Sequence, residues 1–223
     1  LEATLAEARL AALRDPLDPH FLFNTLNAIS TLALVGDRDG LLRTLGALSD
    51  LLRQSLDRSR RQEVPLAEEL AFLERYLEIQ QVRVGERLTV TRDFADDALD
   101  AAVPSMLLQP LVENAFQHGI ARRPGPARLA LRARREGATL VIEVEDDGPG
   151  PVEGAVEGIG LRNTRARLAQ LYGPAHALRL EATPGGGARV VAVLPHRSLG
   201  TPTPVPLGLD ELAPPAVGAE AAR

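Results

Sequence analysis

Apolar residues recur at helical spacing over the first third of the chain and in short runs over much of the rest. Leu1, Leu5, Ala8 and Ala12 sit three or four apart, which predicts a helix over residues 1–14. Pro16 and Pro19 interrupt that pattern. An interior proline loses a hydrogen bond and costs about 3 kcal/mol, so a kink or a new helix start belongs there. Beyond it, Leu22, Leu26, Ile29 and Ala33 form an apolar stripe. His20, Asn24, Asn27 and Thr31 form a polar stripe on one face of the same helix. Gly36-Asp37-Arg38-Asp39-Gly40 breaks it, and a second helix follows with Leu41, Leu45, Leu48, Leu52 and Leu56 directed inward. Two amphipathic helices joined by a short turn make a hairpin. A hairpin buries little surface alone, so it is expected to pair with a second copy as a dimeric four-helix bundle.

Arg58-Ser59-Arg60-Arg61-Gln62 reads as a polar connector. Pro65 then opens a helix as a first-turn proline, with Leu66, Leu70, Leu73 and Leu77 on one face and Glu68, Glu69, Glu74 and Glu78 elsewhere. Strand patterns follow at 88–91, 129–133, 140–144, 178–182 and 190–194. Pro184-Gly185-Gly186-Gly187 joins the last two as a hairpin. Helices fall between the strands at about 107–118 and 160–171. The fold class is α+β: a helical hairpin, then an α/β sandwich with one mixed sheet and helices on one face. The domain reading is 1–62 for the helical segment and 63–197 for the sandwich. Residues 198–223 hold five prolines without periodicity and read as a disordered tail.

Composition narrows the classes. Hydrophobic residues make up 45% of the 223 and charged residues 25%, the balance of an ordinary globular chain. With a net charge of −5 there is no surplus of positive charge to neutralise phosphates, which argues against a nucleic-acid partner. There are no cysteines, so no disulfide framework and no thiolate metal site. All 25 basic residues are Arg, so any phosphate contact that a lysine could make falls to Arg. No apolar run reaches the ~18–20 residues of a membrane span. The sole methionine is Met106, so Leu1 is not a translation start, and the chain is expected to be a piece of something longer.

Three short boxes carry candidate chemistry. On a helix, Asn114, Gln117 and His118 share a face, and an Asn carbonyl oxygen suits Mg²⁺, which takes few protein ligands. The same residues read equally as a solvent-facing helix end closed by Gly119. Asp146-Asp147-Gly148-Pro149-Gly150 follows a strand. A carboxylate there can accept a hydrogen bond from an adenine amino group while glycines let the backbone approach the base. A tight Asp-Gly turn is the alternative. Gly158-Ile159-Gly160 precedes a helix, whose free amides and dipole form an anion site. Residues 151–157 would then form a short lid. A helix start with a flexible lead-in is the plainer reading.

In this order, the boxes resemble the GHKL (Bergerat) ATP-binding domains shared by sensor histidine kinases, DNA gyrase, Hsp90 and MutL. The run Pro19-His20-Phe21-Leu22-Phe23-Asn24-Thr25-Leu26-Asn27 resembles the phosphoacceptor block of the LytS-like sensor histidine kinases. Leu107 to Ala115 and Gly158 to Asn163 resemble that family's asparagine box and second glycine box. The resemblance covers about residues 10–195. It implies autophosphorylation of His20 with ATP and Mg²⁺, then transfer to an aspartate of a response regulator receiver domain, in a homodimer. It implies Asn114 for Mg²⁺ and Asp146 for adenine. Gly148, Gly150, Gly158 and Gly160 would lie near the nucleotide, with Gln117, His118, Leu161 and Arg162 also in the ATP site. It places the chain on the cytoplasmic side of a membrane-bound sensor. A neutral imidazole supplies the nucleophile at cellular pH without a strong base, and Asn24, one turn on, is a second candidate catalytic residue.

Water-activating members of the superfamily resemble one another in carrying Glu four residues before the Mg²⁺ asparagine. That position here is Pro110, which cannot act as a base. Three departures stand out. Gln117 replaces a Lys common in the family, leaving Arg162 or Arg165 for charge compensation, while Pro16 and Asp18 replace Gln and Asn before the histidine. These departures support the competing reading, an ATP-binding dimeric scaffold without kinase activity.

Overall fold

The computed structural model describes residues 19–58, 61–122, 125–151 and 158–200, with the backbone alone at 19, 20, 56–58 and 122. The predicted helix over 1–14, Pro16, Asp18, the lid over 152–157 and the tail from 201 lie outside the described residues.

Two helices open the chain, α1 (Pro19–Val35) and α2 (Arg38–Arg58). Their turn is only Gly36-Asp37. Gly36 takes φ 77°, which L-residues avoid, and the Asp37 amide reaches back to the Leu32 carbonyl at 3.0 Å. Asp37 then caps α2, its Oδ1 accepting the Gly40 amide at 2.9 Å.

Both helices carry two apolar stripes rather than one. Thr44, Ala47, Leu48, Leu51 and Ser55 of α2 are buried, whereas Leu45 and Leu52 are 40% and 43% exposed. On α1, Phe21 and Thr25 are buried, Leu22 and Ile29 are partly covered, and Phe23, Leu26, Ala33 and Leu34 are exposed. The single inward stripe expected on each helix is thus corrected. One stripe faces the rest of the chain, and the other, Phe23, Leu26, Leu34, Leu42, Leu45 and Leu52, faces outward.

A short strand β1 (Glu63–Pro65) leads into α3 (Leu66–Val84). Pro65 precedes the first helical residue and pairs with Ala102, so it closes a strand and caps the helix rather than occupying its first turn. The strands β2 (Leu88–Phe94), β3 (Ala102–Pro104), β4 (Ala127–Glu136), β5 (Thr139–Asp146), β6 (Ala177–Ala182) and β7 (Ala188–Pro195) follow. Strand β3 pairs with β1, and the main sheet runs β2-β4-β5-β7-β6. Only β2–β4 is parallel, so the sheet is mixed, as expected.

Period-two alternation sets the two faces of the sheet. Leu129, Leu131, Leu140, Ile142, Val144, Val190, Ala192 and Leu194 point into the core. On the outer face, Arg132 and Arg189 share Glu145, and Arg134 pairs with Glu143. Helices α3, α4 (Leu108–Asn114) and α5 (Ile159–Tyr172) supply the other layer. The described chain runs to Gly200, and Ser198, within the expected tail, bridges to Ala101.

Helix α3 is buried on two sides. Leu66, Leu70, Leu73 and Leu77 meet the sheet layer, and Phe72, Tyr76, Ile79 and Gln80 are also covered. Glu69, assigned to the polar side by its charge, is 1% exposed. Its carboxylate accepts the amides of Met106, Leu107 and Leu108 at 2.8, 2.9 and 3.2 Å. Those amides would otherwise be open at the start of α4. Glu69→Ala should lower the unfolding free energy by about 3 kcal/mol, because it strands buried donors. Glu74→Ala, removing the partly exposed pair with Arg92, should cost under about 1 kcal/mol. Urea denaturation of both variants checks the contrast.

Candidate active site

Three segments distant in sequence meet at the carboxyl end of β5. Asp146, its last residue, is 4% exposed. Oδ1 accepts the Gly148 amide at 2.9 Å, and the amide of Ala188, opposite on β7, also donates to this carboxylate. Glycines close around it. A Cβ on Gly119 would lie 2.1 Å from Asp146 Oδ1, one on Gly148 would lie 2.3 Å from Gly119 Cα, and one on Gly187 would lie 2.1 Å from the Asp146 carbonyl oxygen. No side chain fits at these three positions, so bare backbone surrounds the acid. Burial pushes the Asp146 carboxyl up to about 6, opposed by the Gly148 and Ala188 amides and assisted by the negative charges of Asp147 and Glu145. Asp147 has a different task. Its Oδ1 accepts the Arg128 amide at 2.8 Å and pins the box to the start of β4.

The asparagine box does not run as one α-helix to 118. After Asn114 the chain widens into a π turn, Ala115–Gly119, and then a 3-10 turn, Ile120–Arg122. Hydrogen bonds from i to i+5 accommodate an extra residue per turn, and such bulges concentrate at functional sites. The π turn brings Gly119 against Asp146 while Gln117 and His118 remain exposed and Asn114 half-buried. Pro110, Asn114 and His118 follow one another at i, i+4 and i+8. The two outer members face the second glycine box: a Cβ on Gly160 would lie 3.6 Å from Pro110 Cβ, and one on Gly158 would lie 3.9 Å from His118 Nε2.

Gly158 is the N-cap of α5 in an extended conformation, and no side chain caps that end. The first intrahelical bond runs from Arg162 N to the Gly158 carbonyl at 3.1 Å. The first-turn amides are the ones a helix leaves without internal partners, and they carry the positive end of its dipole. Leu161 is 2% exposed, so its side chain belongs to the core and its backbone amide is what it offers the site. Arg162 is exposed on the first turn. Arg165 is turned toward the sheet, donating to the Leu178 carbonyl at 2.5 Å.

His20 lies in the first turn of α1, and Asn24 one turn later is half-buried. Phe21, next to His20, is 4% exposed and stacks on Tyr76 with ring centroids 4.7 Å apart. Tyr76 meets Phe116 of the π turn edge-on at 6.1 Å. Gly119, Gly187 and Glu69 are site or support residues that sequence reasoning assigned elsewhere, to a helix end, a hairpin turn and a polar helix face, and Tyr76 is one that it did not single out. A triplet of glycines in one hairpin was the available signal, since a tight turn needs fewer.

Among the described residues no cluster of three or more His, Asp or Glu side chains could hold a metal ion, and no helix is long and apolar enough to cross a membrane. A single Asn beside a glycine-lined pocket suits a metal that arrives with its phosphates.

Behind a helical hairpin, a mixed sheet and helical layer thus enclose a buried acid, with an Asn-bearing turn facing a bare helix start. That is the arrangement of a GHKL-type ATP-binding domain. Residues 100–198 match the family described as histidine kinase-, DNA gyrase B-, and HSP90-like ATPase, and residues 8–88 match the histidine kinase family. Sensor histidine kinase YesM of Bacillus subtilis is 33% identical over 200 residues, covering 87% of this chain and 34% of YesM. Sensor histidine kinase BtsS of Escherichia coli is 32% identical over 198 residues, covering 88% and 35%. Sensor protein LytS of Oceanobacillus iheyensis is 32% identical over 213 residues, covering 89% and 36%. The chain spans about a third of the length of these curated relatives, and it belongs to the LytS-like sensor histidine kinase family.

Gly148→Ala should weaken adenine-nucleotide binding at least tenfold, because its Cβ must displace the Gly119 backbone. Gly46→Ala, where a Cβ meets nothing within 4 Å, should leave it unchanged. Titration of a fluorescent ADP analogue reads both.

Proposed function

We propose that this chain is the catalytic core of an autokinase that transfers the γ-phosphoryl group of ATP to His20 and passes it to an aspartate of a response regulator receiver domain. One observation carries the reading: the Asn114 turn touches both glycine boxes, Gly119 against Asp146 and His118 beside Gly158, in a chain that bears the His20 block.

In this reading Asp146 accepts the adenine amino group, and the amides about Gly148 and Gly150 lie against the base. The first turn of α5, from Gly158 through Gly160 to Leu161, offers its amides to the phosphates, with Arg162, His118 and Gln117 at the rim. Asn114 would hold Mg²⁺, which supplies charge neutralisation on the transferred phosphoryl group. His20 attacks through a neutral ring nitrogen. Pro110 packs toward Gly160 where a water-activating acid would stand, so the site is not built to waste ATP on hydrolysis. The outward stripe of Phe23, Leu26, Leu34, Leu42, Leu45 and Leu52 is the surface a second copy would cover in a homodimer. Residues 1–62 would form the dimerisation and phosphoacceptor segment and residues 63–197 the ATP-binding domain, on the cytoplasmic side of a membrane sensor.

Incubation with labelled ATP and Mg²⁺ should give acid-labile, base-stable label that is absent in His20→Gln. Label that persists without His20 would sink the assignment. Asn24→Ala should keep the label yet slow dephosphorylation of the receiver domain, if Asn24 places water. Nucleotide binding without any label would favour the inactive scaffold, which the Gln117, Pro16 and Asp18 departures suggest.

Asp146 makes nucleotide binding pH-dependent, with a definite sign. A donated amino hydrogen favours the ionised carboxylate, so ADP affinity should fall by about tenfold per unit as pH drops below about 6. For the unliganded fold the direction reverses. Between about pH 4 and 6 the folded chain keeps a proton that the unfolded chain has lost, so the contribution of Asp146 to stability declines as pH rises through that window. Calorimetric titration of wild type against Asp146→Asn, from pH 5 to 8, separates this effect from titration of the phosphates. A constant ratio of affinities overturns it.

A further inference from the structure

We propose that His20 is presented to the nucleotide site of its own chain, through an aromatic ladder in which Phe21 docks on Tyr76 and Tyr76 on Phe116. The proposal rests on the autokinase reading for its consequence, and on contacts within the chain for its geometry.

Phe21 follows His20 directly, so its burial fixes the phosphoacceptor turn. Its ring stacks on Tyr76 at 4.7 Å and 24° between planes. Tyr76 is 1% exposed and is held in place by Gln80, whose Nε2 donates to its hydroxyl at 2.6 Å. Phe116, at 6.1 Å and 75°, lies in the π turn two residues after Asn114 and two before His118. Offset stacks and edge contacts of this kind are specific in geometry, unlike generic apolar contact. One continuous packing path therefore runs from the residue beside the phosphoacceptor to the turn that carries the metal-binding asparagine.

Two further observations place this docking within one chain. The ladder side of the hairpin is distinct from its outward apolar stripe, so a second copy can cover Phe23, Leu26 and Leu45 without displacing Phe21. The tether is also short. Only residues 59–62 join α2 to β1, so Arg58 and Glu63 are separated by a reach of about 17 Å at full extension. Crossing a four-helix bundle to the partner's hairpin requires about two interhelical spacings, or roughly 20 Å. Tyr76 is accordingly a positioning residue, and the substrate of each nucleotide site is the His20 imidazole of its own chain.

The chain contains no cysteine, which makes a direct test clean. Leu22→Cys and Arg75→Cys, each next to a ladder residue but outside the ladder, are introduced together, and the dimer is treated with a bis-maleimide. The expected product is an intrachain crosslink: monomer on a denaturing gel, with both thiols consumed. A covalent dimer, or two thiols that remain uncrosslinked, overturns the docking whether or not the protein is a kinase. The second arm uses mixed dimers of a His20→Gln chain and an Asn114→Ala chain, purified through two tags. Label should be at least tenfold below that of wild-type dimers; label on the Asn114→Ala chain means transfer between subunits and overturns the proposal. Unlabelled wild type, with the intrachain crosslink present, would instead overturn the autokinase reading and leave the docking standing. Phe21→Ala should slow labelling at least tenfold with ADP affinity within twofold of wild type. A purely structural role would move affinity and thermal stability together.

Discussion

Glu69 places a carboxylate in the interior with three backbone amides as its partners, and the position of the candidate site depends on that contact. The amides belong to Met106, Leu107 and Leu108, just where the chain turns into the helix bearing Asn114. Met106 takes φ 62°, the only non-glycine residue with positive φ among the described residues. That conformation is unfavourable for a side chain with a Cβ and persists only when its surroundings impose it. Glu69 imposes it by drawing three successive donors to one acceptor. Seven residues on, Tyr76 holds the far end of the same turn through Phe116. Helix α3 thus grips the asparagine box at both ends, and the Asn114 carbonyl inherits its position from α3.

The same helix explains how two structural units form one functional one. One side of α3 carries leucines toward the sheet, and another carries Phe72, Tyr76 and Ile79 toward the hairpin side. A third attachment lies below the nucleotide site. Arg167 of α5 donates to the Ser105 carbonyl and, at 3.1 Å, to that of Gln62. Tyr172 donates to Glu63 at 2.7 Å, and Arg197 shares that carboxylate at 2.5 Å. The connector from the hairpin is therefore fastened to the helix that Gly158 opens. A shift of the hairpin must either break these contacts or carry α5 with it, because packed interfaces repack in discrete steps rather than deform smoothly.

Much of this was legible from residue pattern. Strand alternation located all five strands of the main sheet, and Gly-Asp punctuation located the hairpin turn. Strands β1 and β3 were not legible, because three-residue strands carry too few positions for a period. Burial of α2 was misread for a physical reason. A heptad-like run such as Leu41, Leu45, Leu48, Leu52 fits one stripe on paper, yet the rest of the chain covers only one side of the helix and divides it. Glu69 was placed outside by its charge, since sequence cannot show that a distant turn will supply three donors. In the site, box order pointed to the Asp146 and Gly158 segments. What pattern could not supply was the π turn, which depends on one extra residue being absorbed at 115–119 rather than on residue type. Gly119 and Gly187 were therefore read as local punctuation when their role is to let distant backbone approach.

Asp146 shows why that approach matters. A carboxylate 4% exposed would ordinarily be neutralised by a cation, and here the charges beside it, Asp147 and Glu145, are of its own sign. Two amides offset part of the desolvation cost and leave the acid near its midpoint in mildly acidic solution. Adding an arginine would satisfy the acid permanently and consume the acceptor. Glycines provide the opposite arrangement: they bring amide dipoles close and put no side-chain cation beside the acid. In the proposed reading, a ligand N–H would meet the remaining part of the desolvation cost. In that reading, a buried acid in a bare backbone cradle would select an amino-bearing base over one with a carbonyl at the same place, which would set two acceptors against each other.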